Sequence, residues 1–425
     1  MAVTPRPHIT QAEGHHDRKG ENGMGHRLAR LQRPNHRLAL TNNLPQWAEV
    51  FAVGVAVRLI QAFLGLVLYR LLSHAYPKIP HGFHPRLLWT PGLSIWSNWD
   101  GLWYLSIAHL GYQGRIMATA FFPTYPILLA WVGGTVLGGV LLSWAAFVIG
   151  LIFLWQWTQE LYGTRAAWYT VAACSSLPTA FYYGAVYTES LFFALATASL
   201  YYMGHRSYGV AATLSGLASA VSIYGALLSL SLATAIWRHP NDRRSLRRWL
   251  PLLWAAWGMV LYMGFLLLRF GHPMMFARVQ YIWGRHRTWP WITMNRALHM
   301  AWRTRFAFHN PRWLLPVSHP AYATINAWNL IFFVFAVTIL ARWGTRLPKE
   351  WWLYAITALI LPLLDPSRTQ PLMSFPRLLL AVIPVFPVLG MVLERSRVAR
   401  WIYLLLAIPL GLWMMSRFVT FRWVA

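Results

Sequence analysis

The sequence is short of acid, of charge in general and of cysteine. Asp and Glu together number 11 in 425 residues and all charged residues make up 11%, too little polar surface for a soluble protein of this size. The one cysteine, Cys174, lies in an apolar stretch, which excludes an intramolecular disulfide and a cysteine-based metal site and leaves the redox compartment undetermined. Metal-type constellations are missing too, because the 16 histidines form no His-x-x-x-His pair on an outer helix with a carboxylate beside it. No internal repeat is visible, and the two halves share no pattern of broken helices.

What is present in excess is apolar and basic. Hydrophobic residues reach 57%, and runs long enough to cross a bilayer recur from residue 47 onward, so the expected class is an all-α polytopic membrane protein. Lys and Arg number 37, which in a soluble chain would point to nucleic acid. Here they fall mostly in short joints between apolar spans. That is the positive-inside pattern, so membrane orientation accounts for much of the +26 net charge and no nucleic-acid partner is expected. Residues 1–43 carry Arg6, Arg18, Lys19, Arg27, Arg30, Arg33 and Arg37 among Gly, His and Asn, without a signal peptide's apolar core, and read as a disordered basic cytoplasmic tail.

Residues 44–425 form the membrane domain. A first span near 47–72, entered from the basic tail, ends outside. The clusters at Arg165, Arg206, Arg238 to Arg248, Arg342 to Lys349 and Arg395 to Arg400 all belong inside by the same rule. Parity is satisfied if Phe121 to Gly139, with Pro123 and Pro126, lies in the outer interface and Tyr208 to Trp237 folds as a hairpin bent near Ser222. The remaining spans then lie near 141–162, 166–183, 187–204, 208–221, 223–237, 250–269, 322–342, 351–364, 378–394 and 400–418, about eleven in all. Outer loops are expected at 73–140, 271–320 and 365–377, and loops of such length usually carry function.

With so few carboxylates, each one outside the membrane is conspicuous. Asp100 follows Asn98-Trp99, and Leu102, Trp103, Leu105, Ile107 and Leu110 fit a short interfacial helix with Asn98 as N-cap and Gly111 as its end. A helix N-terminal acid gains at most about 1 kcal/mol from the dipole. The surrounding Trp96, Trp99, Trp103 and Tyr104 favour a catalytic reading instead, because an apolar setting is a costly place for an unused charge and suits a general base. Glu189, in Tyr187-Thr188-Glu189-Ser190, opens an apolar helix on the same face and is either a capping acid or a second active-site acid. Asp365 precedes Pro366 and fits a turn.

The loop 271–320 has no acid but seven arginines, Arg278, Arg285, Arg287, Arg296, Arg303, Arg305 and Arg312, interleaved with tryptophan. Most of these suit lipid headgroups. Gln280-Tyr281-Ile282-Trp283-Gly284-Arg285 is the best candidate for a dedicated anion site, because arginine binds phosphate with two parallel hydrogen bonds. Arg377, in Ser374-Phe375-Pro376-Arg377, puts another guanidinium at the outer rim. Arg58, with Gln61 one turn on, costs about 2.5 to 3.5 kcal/mol if it meets lipid and is therefore expected to face protein.

Trp99-Asp100-Gly101-Leu102-Trp103-Tyr104-Leu105 with Gly111-Tyr112, and then Ala120-Phe121-Phe122-Pro123-Thr124-Tyr125-Pro126, resemble the PIG-V mannosyltransferases. These are membrane enzymes of the GT-C class, related to the second mannosyltransferase of glycosylphosphatidylinositol assembly. Further similarity lies in Ser176-Leu177-Pro178 through Tyr187-Thr188-Glu189-Ser190, in Gln280 to Arg285 followed by Pro290-Trp291, and in Ser374 to Arg377 followed by Pro384.

The resemblance implies a GT-C glycosyltransferase fold with interfacial helices in the first outer loop. It implies transfer of mannose, with inversion, from polyprenyl-phosphate-mannose to an acceptor hydroxyl outside the membrane. Asp100 is then the base, Glu189 an active-site acid, Arg285 and Arg377 the donor-phosphate contacts with Arg287 in reserve, and Trp99, Trp103, Tyr104, Tyr125, Tyr187, Gln280 and Trp283 the substrate-binding set. No metal or other cofactor is expected, since a lipid monophosphate donor has no diphosphate leaving group that demands a cation. The acceptor is an unspecified glycan, lipid or protein. One departure stands out: where the family often has a basic residue near the turn between the fifth and sixth helices, this chain has Ala220-Val221-Ser222-Ile223-Tyr224-Gly225. A related transferase using another lipid-linked sugar, and a transporter or flippase for such a lipid, are the competing expectations. The ending Phe421-Arg422-Trp423-Val424-Ala425, without a retrieval-like basic tail, suits a bacterial plasma membrane, with the endoplasmic reticulum as the alternative.

Overall fold

The structure, a computed structural model, describes residues 44–73, 92–303 and 322–424. The basic tail 1–43 and parts of the segments expected as the first two outer loops, including Arg305 and Arg312, lie outside the described residues. Among those described there is no strand. The helices are α1 (Leu44–Leu72), α2 (Asp100–Leu110), α3 (Thr124–Trp131), α4 (Val136–Tyr162), α5 (Thr164–Ser176), α6 (Glu189–Gly204), α7 (Tyr208–Ser219) and α8 (Tyr224–Arg238). They continue with α9 (Trp257–Phe270), α10 (Pro290–Arg303), α11 (Tyr322–Trp343), α12 (Lys349–Ile360), the single turn α13 (Phe375–Leu378), α14 (Val385–Arg395) and α15 (Arg397–Val419).

Among the described residues, five helical segments are long and apolar enough to cross a membrane: 46–72, 136–162, 246–270, 325–346 and 397–419. A sixth arises if the pair 375–381 and 385–395, bent by 91°, counts as one broken span. The expected spans at 166–183, 187–204, 208–221 and 351–364 are shorter helices than the sequence pattern promised, whereas 223–237 has its expected length as Tyr224–Arg238. Proline explains two of the differences. Leu177 adopts ψ 139° before Pro178, which ends α5 at Ser176, and Pro384 follows the break between α13 and α14. Within 121–139, α3 is too short to span, and Gly133 and Gly134 at φ 94° and 64° turn the chain into α4, which begins at Val136 and not near 141.

Helix α4, about 40 Å long, connects two ends of the molecule. At its first turns Ser143 and the carbonyl of Gly139 meet Tyr125, which belongs to the site end. At its last turns Glu160 pairs with His205 at 3.3 Å, and Tyr162 donates to the carbonyl of Arg346. The same far end holds Arg206 on Asp242 through two hydrogen bonds of 2.8 and 2.7 Å, and Arg238 on Glu350 at 2.5 Å. Basic clusters that are distant in sequence therefore gather at one end, as the charge pattern required. Arg58 is buried as expected: it donates to the carbonyl of Ala180 at 2.9 Å and lies 4.0 Å above the Phe147 ring.

The hairpin at Ser222 is also present, and glycine makes it possible. A Cβ at Gly225 of α8 would come within 2.2 Å of the Ala218 backbone in α7, and one at Gly258 of α9 within 2.3 Å of the Gly216 carbonyl. Small residues thus bring three helices into backbone contact.

Asp242 is the hub of the basic end. Burial alone raises its proton affinity, but hydrogen bonds from Arg206 and Tyr208 outweigh burial and hold the carboxyl below its ordinary value. A depressed pKa gives stability that is present above the unfolded value and lost as pH falls through the folded one. Thermal stability of the purified protein is therefore expected to drop as pH falls below about 4. Asp242→Asn should remove that part of the acid dependence and cost about 2 kcal/mol at neutral pH. An unchanged acid limb in the melting curves of the variant contradicts this assignment.

Candidate active site

At the opposite end the chain builds a cavity of about 540 Å³ into which Asp100, Glu189, Asp365, Arg285 and Arg377 all project from different elements. Its volume lies in the range of small-molecule sites.

Asp100 stands in the first turn of α2. The residue before it, Trp99, has φ 60° and ψ −115°, a conformation that costs a non-glycine residue on the order of 1–3 kcal/mol. Its ring is held by Phe421 at 4.6 Å, stacked, and by Trp423 at 5.1 Å, edge-on. Asn98 does not cap the helix. Its side chain instead donates to the Phe418 carbonyl at 2.8 Å, while its own carbonyl accepts from the Tyr187 hydroxyl at 2.8 Å. The same hydroxyl accepts from the Asp100 backbone N–H at 3.1 Å, so Tyr187 fixes the turn that aims the carboxylate. Ser374 and Phe421, at φ 66° and 59°, are also non-glycine residues in the left-handed region. Of the five non-glycine residues with positive φ among those described, these three line the cavity, where such strain tends to be retained, and Gln113 and Arg206 lie elsewhere.

Arg377 ties the two carboxylates together. The turn α13 that carries it is anchored by Thr179 donating to the Pro376 carbonyl at 2.7 Å. Its Nη1 donates to Asp100 Oδ2 at 2.5 Å, and its Nε lies 3.2 Å from Glu189 Oε1 without the alignment of a hydrogen bond. Glu189 Oε2 is buried with no partner, as are the indole N–H groups of Trp99 and Trp283. All three residues line the cavity. Buried polar groups left unmatched are expensive, which makes these atoms candidates for contact with a ligand's polar groups.

Arg285 arrives from the segment between α9 and α10. The segments 284–288 and 364–368 pair, with Arg285 bridged to Ser367, His286 N–H bonded to the Pro366 carbonyl at 3.0 Å, and Arg368 N–H to the Gly284 carbonyl at 3.2 Å. This pairing sets Asp365 beside Arg285. Burial pushes the guanidinium below its ordinary range and the Asp365 carboxyl above its own, each partly offset by the other's charge. Among the described residues Arg285 has no carboxylate in ion-pair contact, unlike Arg377.

The opposite wall is aromatic: Trp103 stacks on Phe121 at 5.4 Å, Trp283 meets Trp103 edge-on at 5.9 Å, and the Tyr104 hydroxyl lies 3.3 Å from Thr188 Oγ1. The turn from Val221 to Tyr224 also reaches the cavity and brings no basic side chain.

Of the sequence-derived set, Asp100, Glu189, Arg285, Arg377, Trp99, Trp103, Tyr104, Gln280 and Trp283 meet in this cavity. Three do not line it. Tyr125 is fully buried behind Tyr104 and bonded to Gly139 and Ser143, and Tyr187 is equally buried and supports Asp100 from below. Arg287 lines a separate hollow with His286, Thr288, Arg296, Met300 and Arg368. Sequence reasoning undervalued Asp365, which looked like a turn residue, and passed over Ser374, Phe421 and Trp423. The aromatic cluster Phe421-Arg422-Trp423 was the available signal. Among the described residues no group of three or more His, Cys, Asp or Glu side chains is placed to hold a metal ion. Compared with family models, curated proteins and solved structures, the chain matches none.

Proposed function

We propose that this chain is an inverting glycosyltransferase of the GT-C type that moves mannose from polyprenyl-phosphate-mannose to an acceptor hydroxyl on the extracytoplasmic face. The observation that carries the reading is Asp100: a carboxylate at the mouth of a membrane-end cavity, held on one oxygen by Arg377 and on its backbone by Tyr187. The basic end is then cytoplasmic, the membrane is a bacterial plasma membrane, and the shorter helices α5 to α8, α12 and α14 complete about eleven passes with the long ones.

In this mechanism Asp100 takes the acceptor proton as the acceptor oxygen attacks the anomeric carbon, and the carrier phosphate departs from the opposite face. The departing phosphate needs no proton but does need positive charge. Three acids and two arginines line the cavity, and Arg377 is already shared by two of those acids. Arg285 therefore takes the phosphate. Arg377 positions Asp100 and keeps it apart from Glu189, and the unmatched Oε2 of Glu189 accepts a sugar hydroxyl. Trp103 and Trp283 offer faces on which a sugar ring or the first prenyl units stack.

Purified protein in detergent, given polyprenyl-phosphate-mannose and a panel of acceptors, is expected to form product without any membrane asymmetry. Arg285→Ala should raise the donor KM roughly tenfold or more while kcat falls less. Donor movement across vesicles with no product in detergent points to a transporter and contradicts the proposal, and an unchanged donor KM removes Arg285 from its role.

A further inference from the structure

Arg287, Arg296 and Arg368 converge on a hollow of about 500 Å³ that they share with His286, Thr288 and Met300. None of the three forms an ion pair with a carboxylate among the described residues. Asp365, which lines the neighbouring cavity, feels the charge of Arg285 first and then that of Arg287 and His286. Of the paired segments 284–288 and 364–368, Arg285 and Asp365 line the cavity around Asp100, and Arg287 and Arg368 line this hollow. Within the hollow, His286 Nε2 is buried and has no hydrogen-bond partner. All three arginines are exposed, and with no carboxylate paired to them among the described residues their like charges favour an anion in the hollow.

Helix α10, which supplies Arg296, says what kind of anion. Thr293 and Ala297 are buried, with Thr293 donating to the Leu363 carbonyl at 2.7 Å, so one face is fixed to the protein. Trp291, Leu298 and Trp302, spaced seven and four residues apart, form an exposed apolar stripe on another face, and Trp289 stacks on Trp291 at 4.9 Å. A basic helix with an outward tryptophan stripe lies at the level of lipid headgroups.

We infer that this hollow binds the phosphate of an anionic phospholipid headgroup, at a site separate from the cavity around Asp100. Guanidinium groups match phosphate oxygens in pairs, and the tryptophan stripe seats the acyl chains beside them. A free phosphate ion shares the first chemistry and makes no use of the second.

The test is retention of phosphatidylglycerol and phosphatidylcholine by the detergent-purified full chain, read by native mass spectrometry. Wild type should retain phosphatidylglycerol selectively. Arg287→Gln with Arg296→Gln and Arg368→Gln should lower that retention roughly tenfold or more while phosphatidylcholine is unchanged. The matching triple Lys variant, which keeps the charge and guards against a folding artefact, should retain an intermediate amount. Equal phosphatidylglycerol retention by wild type and the Gln variant overturns the site. Displacement of the lipid by inorganic phosphate at equal concentration shows phosphate chemistry without need of a lipid, and overturns the headgroup as its source.

Discussion

Asp100→Asn is expected to leave the protein folded and to reduce transfer by about 10²- to 10⁴-fold, the usual contribution of a general base. Asparagine keeps the size of the side chain and can still contact Arg377, but it cannot hold the acceptor proton. Donor binding should survive, because the proposed phosphate contact is Arg285 and not Asp100. The loss should therefore appear in kcat with little change in donor KM. The fold should tolerate the change because the turn is secured by backbone and aromatic contacts: the Tyr187 hydroxyl on the Asp100 N–H, Asn98 on Phe418, and Trp99 between Phe421 and Trp423. A normal kcat in a purified Asp100→Asn protein removes the base assignment.

Arg377 should be nearly as sensitive, for a different reason. Among the described residues its guanidinium is the one cation in ion-pair contact with both Asp100 and Glu189, and their side chains are only 26% and 14% exposed. Arg377→Gln leaves two carboxylates facing each other with no counter-charge, and one of them must then take up a proton or swing away. The expected result is a loss of activity of about 10²-fold or more, with a destabilisation of about 2 kcal/mol. The latter lies below the cost for a fully buried pair, because the cavity is open to solvent. Arg377→Lys keeps the charge but cannot span both carboxylates from one planar group, so it should restore stability more than activity. A double-mutant cycle sharpens the assignment: with Asp100 already changed to Asn, removing Arg377 should cost far less activity than in wild type. Additive losses contradict a role for Arg377 that runs through Asp100.

How much of this was legible in the sequence depended on the range of the interactions involved. The all-helical class, the hairpin at Ser222, the buried Arg58 and the short helix ending at Gly111 follow from local composition and periodicity, and they are present. Charge parity foresaw that distant basic clusters would gather at one end, because orientation is a property of the whole chain and not of any contact. Helix lengths were less legible: hydropathy sees Leu177 as apolar, whereas the fold responds to Pro178 after it. The acids of the site could be found because carboxylates are so scarce. Their pairing through Arg377 could not, since it joins residues separated by 277 positions. Asp365 and Tyr187 were misjudged in opposite directions. One became a cavity residue when two loops paired, and the other withdrew behind Asp100 as its support.

The central claim is that Asp100 attends the anomeric carbon while Arg285 attends the phosphate. A structure of the Asp100→Asn protein with polyprenyl-phosphate-mannose bound tests it most directly. The account predicts the phosphate on Arg285, the sugar against Trp103 and Trp283, and the side chain at position 100 on the face of the anomeric carbon opposite the phosphate, with room for one acceptor oxygen between them. A donor whose phosphate sits on the same side as position 100, or whose sugar lies outside this cavity, contradicts it.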